Sequence, residues 1–356
     1  MSWLGRSGHT PVGIDVGGRA ISAVQLCGGQ DDRRLTSAVR LPRSQPGAPL
    51  DSSELTRLRD VLDRQDFVGN QVVLAVPSHR LMSAVMQLPP RDSGAPVNQI
   101  AMTELARTYN VELQSFEMTT WDLPAPEHVN RASLLLAVGF AHEEADALFD
   151  LFADAALRIV ALDMKAWAIA RAARSVIDGA SGITATLDLE WDAAVLALFH
   201  RGVVLYDRTV TEAGFKQLYT ALAEITENNP SLTDYLLDTV GFKAPDDTVD
   251  ADDPGPINAR HRMAAHFDMI VKDVDESLRY ASRQYPDAPF EKLLLAGDAA
   301  SIPGLGAHLQ TALNVEVCAV PTSTLVKCDP VLLNVCDNPG LMTALGLAMA
   351  DERRAA

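Results

Sequence analysis

Short apolar runs alternate with longer amphipathic stretches along the first half of the chain. The apolar positions over 12–41 predict two or three strands with a turn near Gly28. Leu55 and Leu58 recur at helical spacing, which predicts a helix over 54–64. We expect Ser52 or Ser53 to cap this helix. The same patterns predict strands at 71–77, 81–88, 116–123, 131–139 and 159–163, and helices at 97–109, 142–155 and 165–175.

The second half repeats the opening pattern of the first. Its apolar run over 183–192 again predicts a strand followed by an acidic turn. Further strands are predicted at 193–200, 203–209, 292–296 and 315–320, and helices at 215–227, 232–240, 261–284, 303–313 and 340–350. Each half therefore opens with a strand that ends in an aspartate, Asp15 in the first and Asp188 in the second. This repetition predicts an internal duplication of two α/β halves, and a cleft between such halves is a common place for a ligand.

The first turn, Asp15-Val16-Gly17-Gly18, carries the most specific chemistry of the first half. A glycine turn lets backbone N–H groups approach phosphate oxygens closely, while a neighbouring carboxylate acts through a bound cation and its waters. The turn is therefore suited to a metal-bound nucleotide phosphate. Asp-Gly-Gly between apolar runs is also an ordinary hairpin turn, so that this segment alone leaves both interpretations open.

Composition limits the classes of partner. The net charge is −17, which argues against a nucleic-acid surface, because such a surface needs clustered Lys and Arg. No apolar run approaches the roughly 18 residues that a membrane span requires. The N-terminal segment lacks the apolar core of a signal peptide. We therefore expect a cytoplasmic protein that makes no direct membrane insertion.

Other candidate sites are weak. The four cysteines have no metal-ligand spacing, and neither a nucleophile elbow nor a Gly-x-x-x-x-Gly-Lys loop is present. The aspartates of segment 245–254 predict a solvated loop, with a calcium site as the lesser alternative. Isolated lysines, which we expect at the surface, are Lys165, Lys216, Lys243 and Lys272.

The chain resembles the actin-like ATPases, and most of all the PilM family of type IV pilus assembly proteins, relatives of the cell-division protein FtsA. Segments 13–18 and 23–26 look like the first phosphate hairpin of that family. The others that carry the resemblance are 72–89 and 100–109 in the family's small inserted subdomain, 293–305 at its adenosine motif, and 339–348 at its closing helix. They follow the family's order over nearly the whole chain.

The resemblance implies an α/β fold of two related actin-like domains with an inserted small α+β subdomain. It assigns 1–42 and 166–182, with part of the closing helix 340–350, to the first domain. The insert would be 43–165. The second domain would be 183–214 and 285–356, with a helical subdomain at 215–284.

The resemblance also implies a possible nucleotide site. If ATP binds, Asp15 and Asp188 would act on Mg²⁺ through its waters without ligating it directly. The glycines that would line the pocket are Gly17, Gly18, Gly214 and Gly297. No catalytic residue is implied.

The chain departs from the family at this site. The turn after Asp188 carries Glu190 and Trp191 where the family has glycine and small polar residues, and Asp298 follows Gly297. Repulsion between Glu190 and a phosphate about 4 Å away is on the order of 4 kcal/mol unless a cation screens it. Two interpretations compete: a Mg-ATP site, or a retained scaffold whose pocket has lost its ligand. We favour the scaffold.

The function implied by the resemblance is that of a cytoplasmic scaffold in type IV pilus or related secretion machinery. Such a scaffold binds the cytoplasmic tail of an inner-membrane PilN-like protein, contacts other pilus assembly proteins, and lies at the inner membrane through these partners. The alternatives are a nucleotide-switched ATPase of the same machine and an FtsA-like polymerising protein. The FtsA-like alternative is less favoured because the chain ends without an added amphipathic helix.

Overall fold

A computed structural model describes residues 8–29, 32–123, 133–177, 180, 182–200, 202–242, 254–286 and 288–350, without the side chains of 254–257. The predicted acidic loop lies outside the described residues, apart from the backbone of Pro254. The described strands are β1 (Val12–Val16), β2 (Ala20–Cys27), β3 (Arg34–Pro42), β4 (Gln71–Val76), β5 (Met82–Leu88), β6 (Phe116–Leu123), β7 (Ser133–Ala141), β8 (Arg158–Met164), β9 (Ile183–Leu189), β10 (Ala194–His200), β11 (Val203–Val210), β12 (Phe290–Ala296), β13 (Glu316–Ala319) and β14 (Lys327–Cys328).

The α-helices follow the predicted pattern, with different ends at several places. They are α1 (Ser52–Arg64), α2 (Val97–Tyr109), α3 (His142–Asp154), α4 (Lys165–Ala172), α5 (Arg174–Ile177), α6 (Phe215–Ile225), α7 (Pro230–Tyr235), α8 (Pro254–Gln284), α9 (Leu305–Leu313), α10 (Thr322–Leu325), α11 (Leu333–Cys336) and α12 (Met342–Ala348). The cap predicted for α1 was wrong by one residue or two. Asp51 caps it, because the Asp51 carboxylate accepts from the Glu54 N–H at 2.9 Å.

The first half is built on a six-stranded sheet with the order β14-β3-β2-β1-β4-β8. Strands β1 and β2 are antiparallel, whereas β4 and β8 continue the sheet in parallel. Leucines of α1, together with Phe152 of α3, cover one face of β1 and β4. Helices α4 and α12 cover the other face. The strand β8 is an edge of this sheet.

The second half is built on a five-stranded sheet with the order β11-β10-β9-β12-β13. Its hairpin β9-β10, followed by the parallel strand β12, repeats the arrangement of β1, β2 and β4. The predicted duplication is therefore confirmed in the strand order. Helices α6, α8 and α9 pack on the outer face of this sheet. The inner face, with Phe199 and Leu294, packs against α4 and α12, which lie between the two sheets.

Two glycines let α12 lie this close to its neighbours. A Cβ atom at Gly346 would overlap the carbonyl of Ala168 in α4, and one at Gly13 would overlap the carbonyl of Ala344 in α12. The closing helix is buried, as the sequence pattern predicts. Among the described residues no single helix is long and apolar enough to cross a membrane, although the pair 330–336 and 339–348, bent by 93°, meets that test when joined.

A third sheet, with the order β5-β7-β6, carries α2 on one face. The predicted insert, 43–165, contains this sheet but also β4 and β8, which belong to the six-stranded sheet. The sheets therefore favour a narrower insert, about 77–141, and the domain division remains a proposal. We call the three-stranded sheet with α2 the insert sheet.

Candidate functional site

Asp15 and Asp188 lie at the carboxyl ends of the equivalent strands β1 and β9, and the fold brings both to one site between the halves. Lys165, the first residue of α4, lies between them. Its Nζ is 2.8 Å from Asp15 Oδ1 and also donates to Glu190 of the second half. The side chain of Lys165 is only 2% exposed. Our prediction that Lys165 is a surface residue was therefore wrong.

The charges at this site are strongly coupled. Burial alone would lower the pKa of Lys165, but the carboxylates of Asp15, Glu190 and Asp188 outweigh it and raise that pKa. Lys165 is therefore an ammonium group throughout the physiological range. It supplies the cation that Glu190 requires at the second phosphate turn.

Asp188 is the least satisfied member of the cluster. Neither of its carboxyl oxygens has a hydrogen-bond donor among the described residues, and the side chain is buried. Burial and the neighbouring charge of Glu190 raise the pKa of Asp188 well above its usual range. A Cβ atom at Gly297, which has φ +82°, would lie 2.5 Å from Asp188 Oδ1, so that the adenosine turn touches this carboxyl group.

Trp191 fills the space in front of the first phosphate turn. A Cβ atom at Gly18 would overlap the Trp191 side chain, and one at Gly47 would lie 2.6 Å from the indole Nε1. The indole is 7% exposed and packs against Phe215 and Tyr219. The glycines of the turn therefore accommodate a side chain of the second half.

Gly214 precedes α6, and the first N–H groups of this helix are already bonded. Phe215 N–H donates to the Glu190 carbonyl at 2.9 Å, and Lys216 N–H donates to the Trp191 carbonyl at 2.8 Å. A Cβ atom at Gly214 would lie 2.5 Å from the Asp192 backbone. A helix N-terminus of this kind attracts anions only where its N–H groups are free.

No family model matches the sequence, and no curated protein matches it. A chain of the PilM–PilN type IV pilus biogenesis complex matches with a TM-score of 0.78 at 18% identity, over 96% of this chain and 98% of that one. MreB5 of Spiroplasma citri bound to AMPPNP matches with a TM-score of 0.50 at 12% identity, over 94% and 93%.

The protein has an actin-like fold. The ethanolamine utilization protein EutJ of Carboxydothermus hydrogenoformans shares this fold, with a TM-score of 0.50 at 15% identity over 96% of this chain and 89% of that one. At such identities the likeness establishes the fold alone. It confirms the α/β class and the actin-like architecture that the sequence predicts.

The residues of this actin-like site do not fit a magnesium–ATP complex in the arrangement observed. The Lys165 ammonium pairs with Asp15, Trp191 fills the phosphate turn, and the α6 N–H groups are bonded to backbone carbonyls. Asp298, at the adenosine turn, pairs with Arg40 of β3. The predicted residues Asp15, Gly18, Gly214 and Gly297 therefore contact other groups of the protein, whereas the carboxyl oxygens of Asp188 accept no hydrogen bond from the described residues.

A second candidate site lies between the insert sheet and the edge strand β8, and the sequence motifs gave no sign of it. Trp121 of β6 stacks on Trp167 of α4 with ring centroids 5.3 Å apart. Leu134 and Leu81 belong to the same half-buried apolar cluster. Val85 lies on this face as well, opposite Leu136 and Trp121 in register, and is 49% exposed. We call this surface, with Leu81, Val85, Trp121, Leu134 and Trp167, the insert groove.

The period-two pattern could have indicated this groove. In β5 and β6 both faces carry apolar residues, although a three-stranded sheet with one helix buries only one face. The second apolar face therefore needs another partner. Met164 and Trp167 cover part of it and leave Val85 exposed.

Proposed function

We propose that this actin-like chain is a cytoplasmic scaffold of a type IV pilus or related secretion machine. In this role it binds the cytoplasmic tail of an inner-membrane PilN-like protein and lies at the membrane through that partner. The observation that carries the proposal is the match in fold, over nearly the full length of both chains, to a chain of the PilM–PilN complex. Other pilus assembly proteins would then bind the surfaces that remain free.

The insert groove is the surface that we assign to the tail. It combines exposed and half-buried apolar side chains with Met164, the last residue of the edge strand β8. An extended peptide can bind such a place with backbone hydrogen bonds to the edge and apolar side chains in the groove. A few buried anchors supply most of the affinity in interfaces of this kind.

The scaffold role does not require nucleotide. Three contacts already join the two halves across the site: Lys165 to Glu190, Arg40 to Asp298, and Arg19 to Asp234. Here the side chains of the protein make these connections, which supports a constant platform for a partner.

The test is the binding of a synthetic peptide that carries the tail sequence of the PilN-like protein encoded with this chain. Val85→Asp places a charge in the groove, and we expect it to weaken binding by about tenfold or more in isothermal titration calorimetry, because an apolar anchor would then meet a carboxylate. Val331→Asp is the matched control, since Val331 is 85% exposed and lies in a different part of the fold.

Binding by the wild type and by Val331→Asp, but not by Val85→Asp, supports the proposed function and its site. Equal affinities for all three proteins would reject the groove as the tail site. The scaffold proposal itself fails when the wild-type chain does not bind the peptide.

A further inference from the structure

A polar cleft of about 380 Å³ lies where the insert sheet meets the second half. Ser83 of β5 lies on one wall, Asp207 and Thr209 of β11 lie on the opposite wall, and Met164 and Lys165 lie between them. The nucleotide motifs do not include the strands of either wall. The cleft adjoins the candidate nucleotide site through Lys165, which belongs to both.

Asp207 is an acidic group without a cation of its own. Its carboxyl group lies on the cleft wall with Ser83, and burial raises its pKa. Arg208, the next residue, pairs with Asp273 at 3.4 Å, and Lys165 is held by Asp15 and Glu190. Within the described part of the chain no basic side chain forms an ion pair with Asp207.

A carboxylate in such a position favours a cationic ligand. Burial of a charge costs free energy unless an opposite charge and hydrogen bonds compensate for it. The hydroxyl groups of Ser83, Thr209 and Thr211, all on the cleft wall, can accept further hydrogen bonds from an ammonium or guanidinium group. The cleft thus offers one charge and several acceptors to a basic side chain.

The cleft is continuous with the insert groove. Leu81 and Met164 line the cleft and also belong to the apolar cluster of the groove. A peptide that lies in the groove can therefore place one side chain in the cleft. Cytoplasmic segments next to a membrane span carry an excess of Lys and Arg, and this chain has a net charge of −17.

We propose that the cleft around Asp207 receives one Lys or Arg side chain of the tail that binds the insert groove. This inference rests on the proposed function, and it names the chemistry that gives the tail its register. The apolar anchors would supply affinity, whereas the ion pair with Asp207 would fix which residue of the tail enters the cleft.

The experiment is a double-mutant cycle with the same tail peptide in two forms, one native and one with its Lys and Arg replaced by norleucine and citrulline. We expect Asp207→Asn to weaken binding of the native peptide by at least about tenfold and to change binding of the neutral peptide little. Asp60→Asn, an identical change on the exposed face of α1, is the control and should leave both affinities unchanged.

The outcomes separate the two proposals. Binding of the native peptide with equal affinity to the wild type and Asp207→Asn overturns the cleft assignment and leaves the scaffold in place. Loss of affinity that is the same for both peptides also overturns it, because the effect would not depend on charge. Failure of the wild-type chain to bind the native peptide overturns both. The wild-type protein is also titrated with both the native and the neutral peptide. This comparison involves no variant, so that a folding defect of Asp207→Asn cannot decide the result.

Discussion

At the scale of single residues, Lys165 provides the positive charge for three acidic side chains. Asp15, Asp188 and Glu190 would repel one another if they were left alone in a buried site. The Lys165 ammonium contacts Asp15 and Glu190 directly. Its charge also lowers the free-energy cost of ionising the buried Asp188 carboxyl group. The chain itself thereby supplies a positive charge to this acidic cluster.

Replacement of Lys165 by methionine should destabilise the protein strongly. A buried charge that loses its partner typically costs about 3–5 kcal/mol, and here two carboxylates lose one. Chemical denaturation at neutral pH measures this loss. Lys327→Met is the control, because Lys327 forms an exposed ion pair with Asp32, and water screens such a pair so that its loss should change the stability little.

The loss of stability caused by Lys165→Met should depend on pH in a defined direction. Without the ammonium, the carboxyl groups of Asp188 and Glu190 keep raised pKa values in the folded state. A group whose folded-state pKa is raised contributes stability that is lost as the pH rises through that pKa. The loss of stability should therefore grow as the pH rises above the ordinary range of carboxyl pKa values. A loss that stays constant as the pH rises would show that Lys165 acts by packing rather than by charge.

At the scale of elements, glycine decides how closely the helices between the sheets can pack. Helix α12 lies on β1 and α4, and its Gly346 leaves no room for a Cβ atom beside the Ala168 carbonyl. The helix propensity of glycine is poor, so that its position here reflects contact rather than local preference. The same contact holds the closing helix between the two halves.

Gly346→Ala should therefore destabilise the protein by about 1–3 kcal/mol, although alanine is the better helix former. Gly306→Ala in α9 is the matched control. Its new Cβ atom would have no neighbour closer than 3.8 Å, and we expect a slight gain in stability there. Thermal unfolding of both variants measures the difference. Equal effects of the two substitutions would contradict the close packing of α12 on α4.

At the scale of the whole molecule, side chains join the two halves across the site that contains Asp15 and Asp188. The joining contacts lie on separate elements of the first half: α4 supplies Lys165, β3 supplies Arg40, and the first turn supplies Arg19. Trp191 of the second half closes over the first turn as well. Relative movement of the halves must break several of these contacts together.

Magnesium and ATP should therefore leave the unfolding temperature unchanged. A ligand present at 100 times its dissociation constant stabilises a protein by about 2.7 kcal/mol, which thermal unfolding detects easily. Magnesium chloride alone is the control for ionic effects. A rise in unfolding temperature that requires both Mg²⁺ and ATP, and that Asp15→Ala abolishes, would contradict the closed site.

Much of the fold could be predicted from the sequence because its signals are local. Helix α2 and strand β6 begin and end where the apolar pattern places them. The hairpins that join β1 to β2 after Asp15, and β9 to β10 after Asp188, follow from short turns. The candidate site could be predicted in part. Its residues were correctly brought together, but their partners were not foreseen, since Trp191 and Gly18 are far apart in the chain.

The sequence by itself determined the order of the longer strands and helices, the duplication, and the repulsion of a phosphate by Glu190 unless a cation screens it. These follow from periodicity and from charges near one another along the chain. Only the tertiary structure decided that Lys165 is that cation, that Trp191 fills the phosphate turn, and that Asp207 faces a cleft. The physical reason is that burial and electrostatic pairing depend on distances in space, which the fold sets between residues of different elements.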